Sequence, residues 1–184
     1  MIIAVKDLFI TIIFITASYA LSSKKKQLVI SILLAIPLLA FMWSHYAIEN
    51  YYLEILGQFF AALFFGFTVI CLADFIFSQK EVTKEVITAA LIIYLLLALV
   101  WTFIYSILAS VNPNSFSLET GHSNDLYHFM YFSFVTLTTL GYGDITPLTD
   151  KAGALVILEA VVGQVYLVVV VAWLVGMHVS RRSK

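Results

Sequence analysis

Residues 138–144 read Thr-Thr-Leu-Gly-Tyr-Gly-Asp, a polar, glycine-bearing stretch between an aromatic-rich segment and a long apolar one. Gly141 and Gly143 tolerate positive φ angles without steric cost. They therefore allow a row of backbone carbonyls to face one axis, an arrangement that ordinary residues resist. The hydroxyl of Thr139 can add an oxygen at one end of this row. We expect the chemistry of this stretch to belong to its backbone.

The composition indicates an integral membrane protein. Of the 184 residues, 62% are hydrophobic and 11% are charged, and the mean hydropathy is +1.00. Soluble domains carry about a quarter charged residues. The longest basic run, three lysines at 24–26, lies between apolar stretches, so no nucleic-acid surface is expected. The scattered His, Asp and Glu residues lack the spacing of a catalytic or metal site, so no enzyme is expected.

Five apolar stretches approach or exceed the roughly 20 residues that a membrane span needs. They are residues 5–21, 28–43, 53–78, 86–111 and 152–178. All are predicted to be helices, because open strands cannot cross lipid with unpaired backbone groups. The first stretch has a weak likeness to a signal peptide, but the lysines that follow at 24–26 favour a retained helix.

The basic residues predict the orientation of these spans. If the 22–27 loop, the 79–85 loop and the C-terminus are cytoplasmic, eight basic residues lie inside and two, Lys6 and Lys151, lie outside. The N-terminus is then extracellular. We expect a multi-pass protein of the cell membrane, in contact with the lipid bilayer.

A further helix is predicted at residues 126–138, where Asn124 and Asp125 are suitable N-caps. At 1.5 Å per residue it is roughly 20 Å long, too short to cross a bilayer. It must therefore enter the membrane and return, which is tolerated where backbone is buried in protein or lines water. Its C-terminal end carries partial negative charge, and several such ends aimed at one cavity would favour a cation.

The Thr-Leu-Gly-Tyr-Gly string resembles the selectivity filter of the potassium channel pore family, with leucine in the valine slot. The likeness covers about residues 86–178 and is greatest to small prokaryotic channels with a two-helix pore module. Together with the five apolar stretches, it implies an all-α fold with five transmembrane helices and a re-entrant pore helix. It also implies a homotetramer, because a closed ring of carbonyls needs several copies of the loop. The carbonyls of Thr139, Leu140, Gly141, Tyr142 and Gly143 would bind K⁺, with no other cofactor.

The apolar stretches and the resemblance together divide the chain into two regions. Residues 1–85 hold three N-terminal helices, and residues 86–184 hold the pore module. The module comprises an outer helix at 86–111, an outer loop at 112–125, the pore helix at 126–138, the filter at 139–143 and an inner helix at 152–178.

The same resemblance suggests residues that support the filter. Asp144 matches an aspartate that braces the filter against pore-helix aromatics, which are here Tyr131 and Phe132. Tyr131 can donate a hydrogen bond to it, whereas Phe132 cannot. Val135 stands where some relatives carry a glutamate. Thr138 ends the pore helix, and Leu140 and Tyr142 are expected to pack behind the filter.

The inner helix is expected to line a cavity through Gln164, Leu167 and Val171, which share one face with Val175. Gly163 is either a gating hinge, by resemblance, or a small residue for helix packing. Glu159 is the one acid within this span, and intramembrane acids are costly and often functional. We expect it to bond the pore helix or the outer helix and to help hold the filter.

The stimulus for gating is not apparent from the sequence. The first four helices contain no arginine, so a conventional voltage sensor is not expected. His122 and His128 lie near the predicted outer mouth, where histidine can sense pH, although exposed histidines without a role are favoured. The alternatives to a potassium channel are a nonselective monovalent cation channel, a subunit of a potassium-uptake transporter and a non-conducting channel-like membrane subunit.

Overall fold

The computed structural model describes residues 25–44, 50–118 and 126–182. The predicted span at 5–21, His122 and the proposed N-caps at 124 and 125 lie outside these residues. The described chain is all-helical, and its extended segments form only one isolated bridge, between Phe116 and Pro147. The helices are α1 (Lys25–Ser44), α2 (Tyr51–Ser78), α3 (Lys84–Val111), α4 (Leu126–Leu137) and α5 (Asp150–Arg182), with a 3-10 turn at Pro113–Ser115.

Three of these helices, α2, α3 and α5, are long and apolar enough to cross a membrane. Each begins two residues before its predicted span, and α5 continues four residues beyond the predicted end at 178. The predicted span at 28–43 is helical within α1, which is not among the three. The helix predicted at 126–138 is present as α4 and ends at Leu137.

The chain forms two compact units, residues 1–71 and 72–184, and α2 passes from one into the other. In the first unit, Asn50 caps the start of α2, because its side-chain oxygen accepts a hydrogen bond from the Tyr52 amide at 2.9 Å. Phe41 of α1 stacks on Phe60 of α2 with ring centroids 5.8 Å apart. A Cβ on Gly57 would lie 3.3 Å from Cβ of Phe41, so the glycine permits this close approach.

The second unit has an aromatic core between α3, α4 and the start of α5. Phe116, which follows the 3-10 turn, is the centre of this core and is 3% exposed. Its ring lies 5.4–5.5 Å from the rings of Tyr105, Phe129 and Phe132. Edge-to-face pairs of this kind add stability beyond the burial of their area.

Residues 115–117, after α3, are hydrogen-bonded to residues 146–148, which lead into α5. Ser117 donates its amide proton to the Thr146 carbonyl at 2.9 Å, and Leu148 donates to the Ser115 carbonyl at 2.8 Å. The Thr146 amide donates in turn to Oγ of Ser117 at 2.8 Å. Residues 138–144 are therefore anchored at one end by α4 and at the other by these antiparallel contacts.

Candidate pore loop

The glycine loop, residues 138–144, leaves α4 through hydrogen bonds to the last turn of that helix. The carbonyl of Val135 accepts the amide protons of both Leu140 and Gly141, at 3.0 and 3.3 Å. Thr139 donates its amide to the Thr136 carbonyl at 3.0 Å. These bonds satisfy the amides at the start of the loop. Among the described residues, no hydrogen bond ends on the carbonyls of residues 139–143.

The backbone of the glycine loop alternates between two conformations. Thr139, Gly141 and Gly143 have φ angles of 60°, 56° and 78°, whereas Leu140 and Tyr142 between them do not have positive φ. Alternation of left-handed residues with ordinary ones allows successive peptide groups to face the same side. Thr139 is the one non-glycine residue with positive φ in the described chain. Such strain costs on the order of 1–3 kcal/mol and is concentrated at functional sites.

The end of the glycine loop that leads towards α5 is braced by Tyr131. Its hydroxyl donates to Oδ2 of Asp144 at 2.7 Å, and its ring stacks on Tyr142 at 6.4 Å with an interplanar angle of 6°. The Ile145 amide donates to Oδ1 of the same aspartate at 3.1 Å. The hydrogen bond from Tyr131 lowers the pKa of Asp144, and the same bond raises the pKa of Tyr131 to about 12.

Phe132 and Val135 lie on the buried side of α4. Phe132 is 5% exposed and its ring lies 5.2 Å from that of Tyr105, so it belongs to the aromatic core, and its support of the loop stays a prediction. The sequence had paired it with Tyr131 near Asp144, but neighbouring positions on a helix point in directions about 100° apart. Val135 is buried, and its backbone carbonyl accepts hydrogen bonds from the loop.

The side chains of the loop are less covered than expected. Leu140 is 56% exposed and Tyr142 is 64% exposed within a single chain. The expectation that both pack behind the loop is therefore not met by one chain alone. Tyr142 rests on Tyr131, and a cleft behind the loop is lined by residues that include Phe132, Thr139 and Pro147.

Glu159 lies where three helices meet. Its side chain is fully buried in α5, and each of its oxygens contacts a hydroxyl group. Tyr105 of α3 donates to Oε2 at 2.5 Å, and Oγ of Ser133 of α4 lies 2.5 Å from Oε1. The glutamate thus contacts both the helices that the sequence had offered as alternatives.

One turn further along α5, Gly163 contacts the end of α4. A Cβ at this position would lie 2.8 Å from both the carbonyl oxygen and Cδ1 of Leu137. Glu159 and Gly163 are one turn apart, as are their contacts Ser133 and Leu137, so the two helices meet in matched register. This contact is a packing role for Gly163, and its role as a hinge stays a prediction.

The predicted cavity face of α5 is open within a single chain. Gln164 is exposed, and Leu167, Val171 and Val175 are 39%, 55% and 56% exposed. The role of this exposed face as a cavity lining stays a prediction. His128, at the other end of α4, lies in a shallow cleft with Ser117, Tyr131 and Asp144.

Four residues of the site were not identified from the sequence: Tyr94, Tyr105, Ser133 and Tyr166. Tyr94 donates its hydroxyl proton to the Leu137 carbonyl at 3.0 Å, and Tyr166 donates to the Ala90 carbonyl at 2.6 Å. Their rings stack 5.9 Å apart, which joins α3 to α5. The signal was the presence of tyrosines inside apolar spans, because a buried hydroxyl needs a partner.

The geometry agrees with a comparison with protein families. Residues 83–179, more than half of the chain, match the model of a family described as "Ion channel". The match includes α3, α4, the glycine loop and most of α5. No curated protein and no solved structure matches the chain. The protein is a membrane protein that belongs to the ion channel family.

Proposed function

We propose that this protein conducts K⁺ selectively and passively through a pore built from four copies of the chain. The observation that carries the proposal is the alternating positive φ of Thr139, Gly141 and Gly143. The carbonyls of residues 139–143 accept no hydrogen bond from the described residues. Together, the φ angles and these carbonyls support a row of oxygens that is available to a dehydrated ion. Rings of backbone carbonyls replace the hydration shell of K⁺ in potassium filters.

The homotetramer follows from the same chemistry. One strand of carbonyls can surround only part of an ion, so the ring needs several copies of the glycine loop. The exposed side chains of Leu140 and Tyr142 and the exposed face of α5 support this, because neighbouring copies would cover the first two and share the cavity. Heterologous contacts that close on themselves give cyclic assemblies.

The short helix α4 is proposed to be re-entrant. Twelve residues from Leu126 to Leu137 rise about 18 Å, against a hydrocarbon core of about 30 Å. Its C-terminal end then points towards the cavity with partial negative charge, which favours a cation. The carbonyl of Leu137 at this end accepts the Tyr94 hydroxyl proton, which holds the helix end in place.

We place the pore in the cell membrane with the C-terminus cytoplasmic and the N-terminus extracellular. The support is the excess of basic residues on the proposed inner side, which includes Arg181 and Arg182 in the last turn of α5. K⁺ is the permeant ion, and no further cofactor is proposed.

The experiment is K⁺ flux from loaded liposomes, with wild type compared with Gly143→Asp. Wild type should release K⁺, and the variant should not, because position 143 has φ of +78° and its carbonyl is proposed to bind the ion. Bi-ionic K⁺/Na⁺ reversal potentials separate a selective channel from a nonselective monovalent cation channel. A conducting variant with unchanged selectivity would contradict the assignment of the glycine loop, and a silent wild type would favour a non-conducting subunit.

A further inference from the structure

Three hydrogen-bonding groups form a chain around Glu159 that joins α3, α4 and α5. Tyr105 lies 2.5 Å from Oε2 of Glu159, and Oγ of Ser133 lies 2.5 Å from Oε1. The same Oγ of Ser133 lies 2.8 Å from the carbonyl oxygen of Ala98 in α3. The side chains of Tyr105, Ser133 and Glu159 are all fully buried.

The protons available to these contacts can be counted. Oxygen–oxygen distances of about 2.5–3.0 Å are those of O–H···O hydrogen bonds, in which a proton lies between the two atoms. A carbonyl oxygen has none, so the contact between Ser133 and Ala98 requires the single hydroxyl proton of Ser133. That proton is then not available for the contact between Ser133 and Oε1 of Glu159. The remaining source of a proton for this second contact is the carboxyl group itself.

We infer that Glu159 is a neutral carboxylic acid whose Oε1–H donates to Oγ of Ser133, and that it is a positioning residue for α4. The chain of donors then runs from Tyr105 to Oε2, from Oε1 to Ser133, and from Ser133 to Ala98. Every proton has one acceptor, and every contact has one proton.

The electrostatic setting favours the neutral form. In the described part of the chain, Glu159 forms no ion pair, and both its oxygens contact hydroxyl groups instead. An isolated buried charge is costly, whereas a neutral acid in a satisfied network is not. Tyr105 on α3 is the titratable group in direct contact with it, and the partner from α4 is the serine, which does not titrate.

The consequence concerns the glycine loop. Ser133 lies one turn before Leu137, and Glu159 lies one turn before Gly163, which packs against Leu137. The acid therefore fixes the rotation and the height of α4 relative to α5 just before α4 passes into the loop. The packing of α4 against α5 through Glu159 does not depend on which ion passes.

The test is infrared spectroscopy of wild type at neutral pH, with and without ¹³C in the glutamate side-chain carboxyls. The difference spectrum should contain one isotope-shifted carbonyl band of a protonated acid, and Glu159→Gln should remove it. A spectrum in which all glutamates give only carboxylate bands would overturn the inference. Since the readout needs no conduction, it is independent of the proposed K⁺ selectivity.

Thermal unfolding in detergent provides the second measurement. A glutamine amide can donate to Ser133 and accept from Tyr105, as the neutral acid does, so Glu159→Gln should unfold within about 2 °C of wild type. For a small domain, 1 kcal/mol shifts the midpoint by a few degrees. Ser133→Ala and Glu159→Leu should both lower it by more than that. A Glu159→Gln protein that does not fold, or is as unstable as Glu159→Leu, would contradict the neutral acid.

Discussion

Gly163 of α5 lies against Leu137 of α4 so closely that a Cβ on the glycine would be 2.8 Å from the Leu137 carbonyl oxygen. We expect Gly163→Ala to destabilise the fold by about 1–3 kcal/mol, because the Leu137 carbonyl oxygen belongs to the backbone and cannot avoid the clash by a change of rotamer. The measurement is the midpoint of thermal unfolding in detergent.

Gly176→Ala is the matched control, because it is in the same helix and its Cβ would meet nothing within 4 Å. Equal midpoints for the two variants would show that α4 and α5 are not in close contact at Gly163. The hypothesis that Gly163 is a gating hinge is tested by the open probability of Gly163 variants that remain folded.

Gly143→Ala tests the backbone of the glycine loop without changing its packing. A Cβ at 143 meets nothing within 4 Å, but its φ of +78° is unfavourable for an L-residue by roughly 1–2 kcal/mol. We expect a loss of preference for K⁺ over Na⁺ together with a fall of a few degrees in the midpoint of thermal unfolding. Bi-ionic reversal potentials measure this preference. Gly153→Ala, also in open space but without positive φ, should behave as wild type, and equal selectivity in both variants would exclude the backbone argument.

The hydrogen bond between Tyr131 and Asp144 makes the stability of this end of the loop depend on pH at both extremes. Because the bond lowers the pKa of Asp144 from its ordinary 3.8, its stabilising effect is lost as the pH falls through that lowered value. Because it raises the pKa of Tyr131 from 10.0 to about 12, the effect is also lost as the pH rises towards 12.

Tyr131→Phe should therefore raise the pKa of Asp144 back towards its ordinary value. NMR titration of ¹³C-labelled aspartate carboxyls measures it directly. Tyr127→Phe, one turn earlier on α4, is the control and should leave the titration of Asp144 nearly unchanged. An Asp144 pKa that is the same in wild type and Tyr131→Phe would mean that the bond does not persist in solution.

Tyr105→Phe removes one hydroxyl from the contacts of Glu159 and keeps the ring that packs on Phe116 and Phe132. We expect a loss of about 1–3 kcal/mol, because Oε2 of a fully buried side chain is left without its donor. Chemical or thermal unfolding in detergent measures the loss. Tyr52→Phe, at a position that is 73% exposed, should leave the free energy of unfolding almost unchanged. A Tyr105→Phe variant as stable as wild type would show that the buried hydrogen bond does not contribute to stability.

The helices that are long and apolar enough to cross a membrane are well determined by local sequence. Long apolar runs predict α2, α3 and α5 to within a few residues, because backbone groups in lipid must pair within their own segment. The glycine loop was also identified locally, since glycine tolerates the positive φ found at 141 and 143. The positive φ of Thr139 was not foreseen, because a threonine does not favour it.

The contacts between side chains of different helices were not determined by local sequence. Glu159 was singled out because an acid in a span is costly, but nothing near it in sequence points to Tyr105 or Ser133. Phe132 was placed beside Asp144 by resemblance, whereas the rotation of α4 places it in the aromatic core. Helix rotation depends on the packing of all neighbouring helices, which local patterns do not encode.

By itself, the sequence determined that this chain is a helical membrane protein with a glycine loop between a short helix and a long one. Hydropathy and backbone sterics act over a few residues, and they are therefore readable along the chain. Only the tertiary structure decided that α4 and α5 meet in register through Glu159–Ser133 and Gly163–Leu137, and that Tyr131 bonds Asp144. Those contacts depend on the distances between helices that are far apart in the sequence.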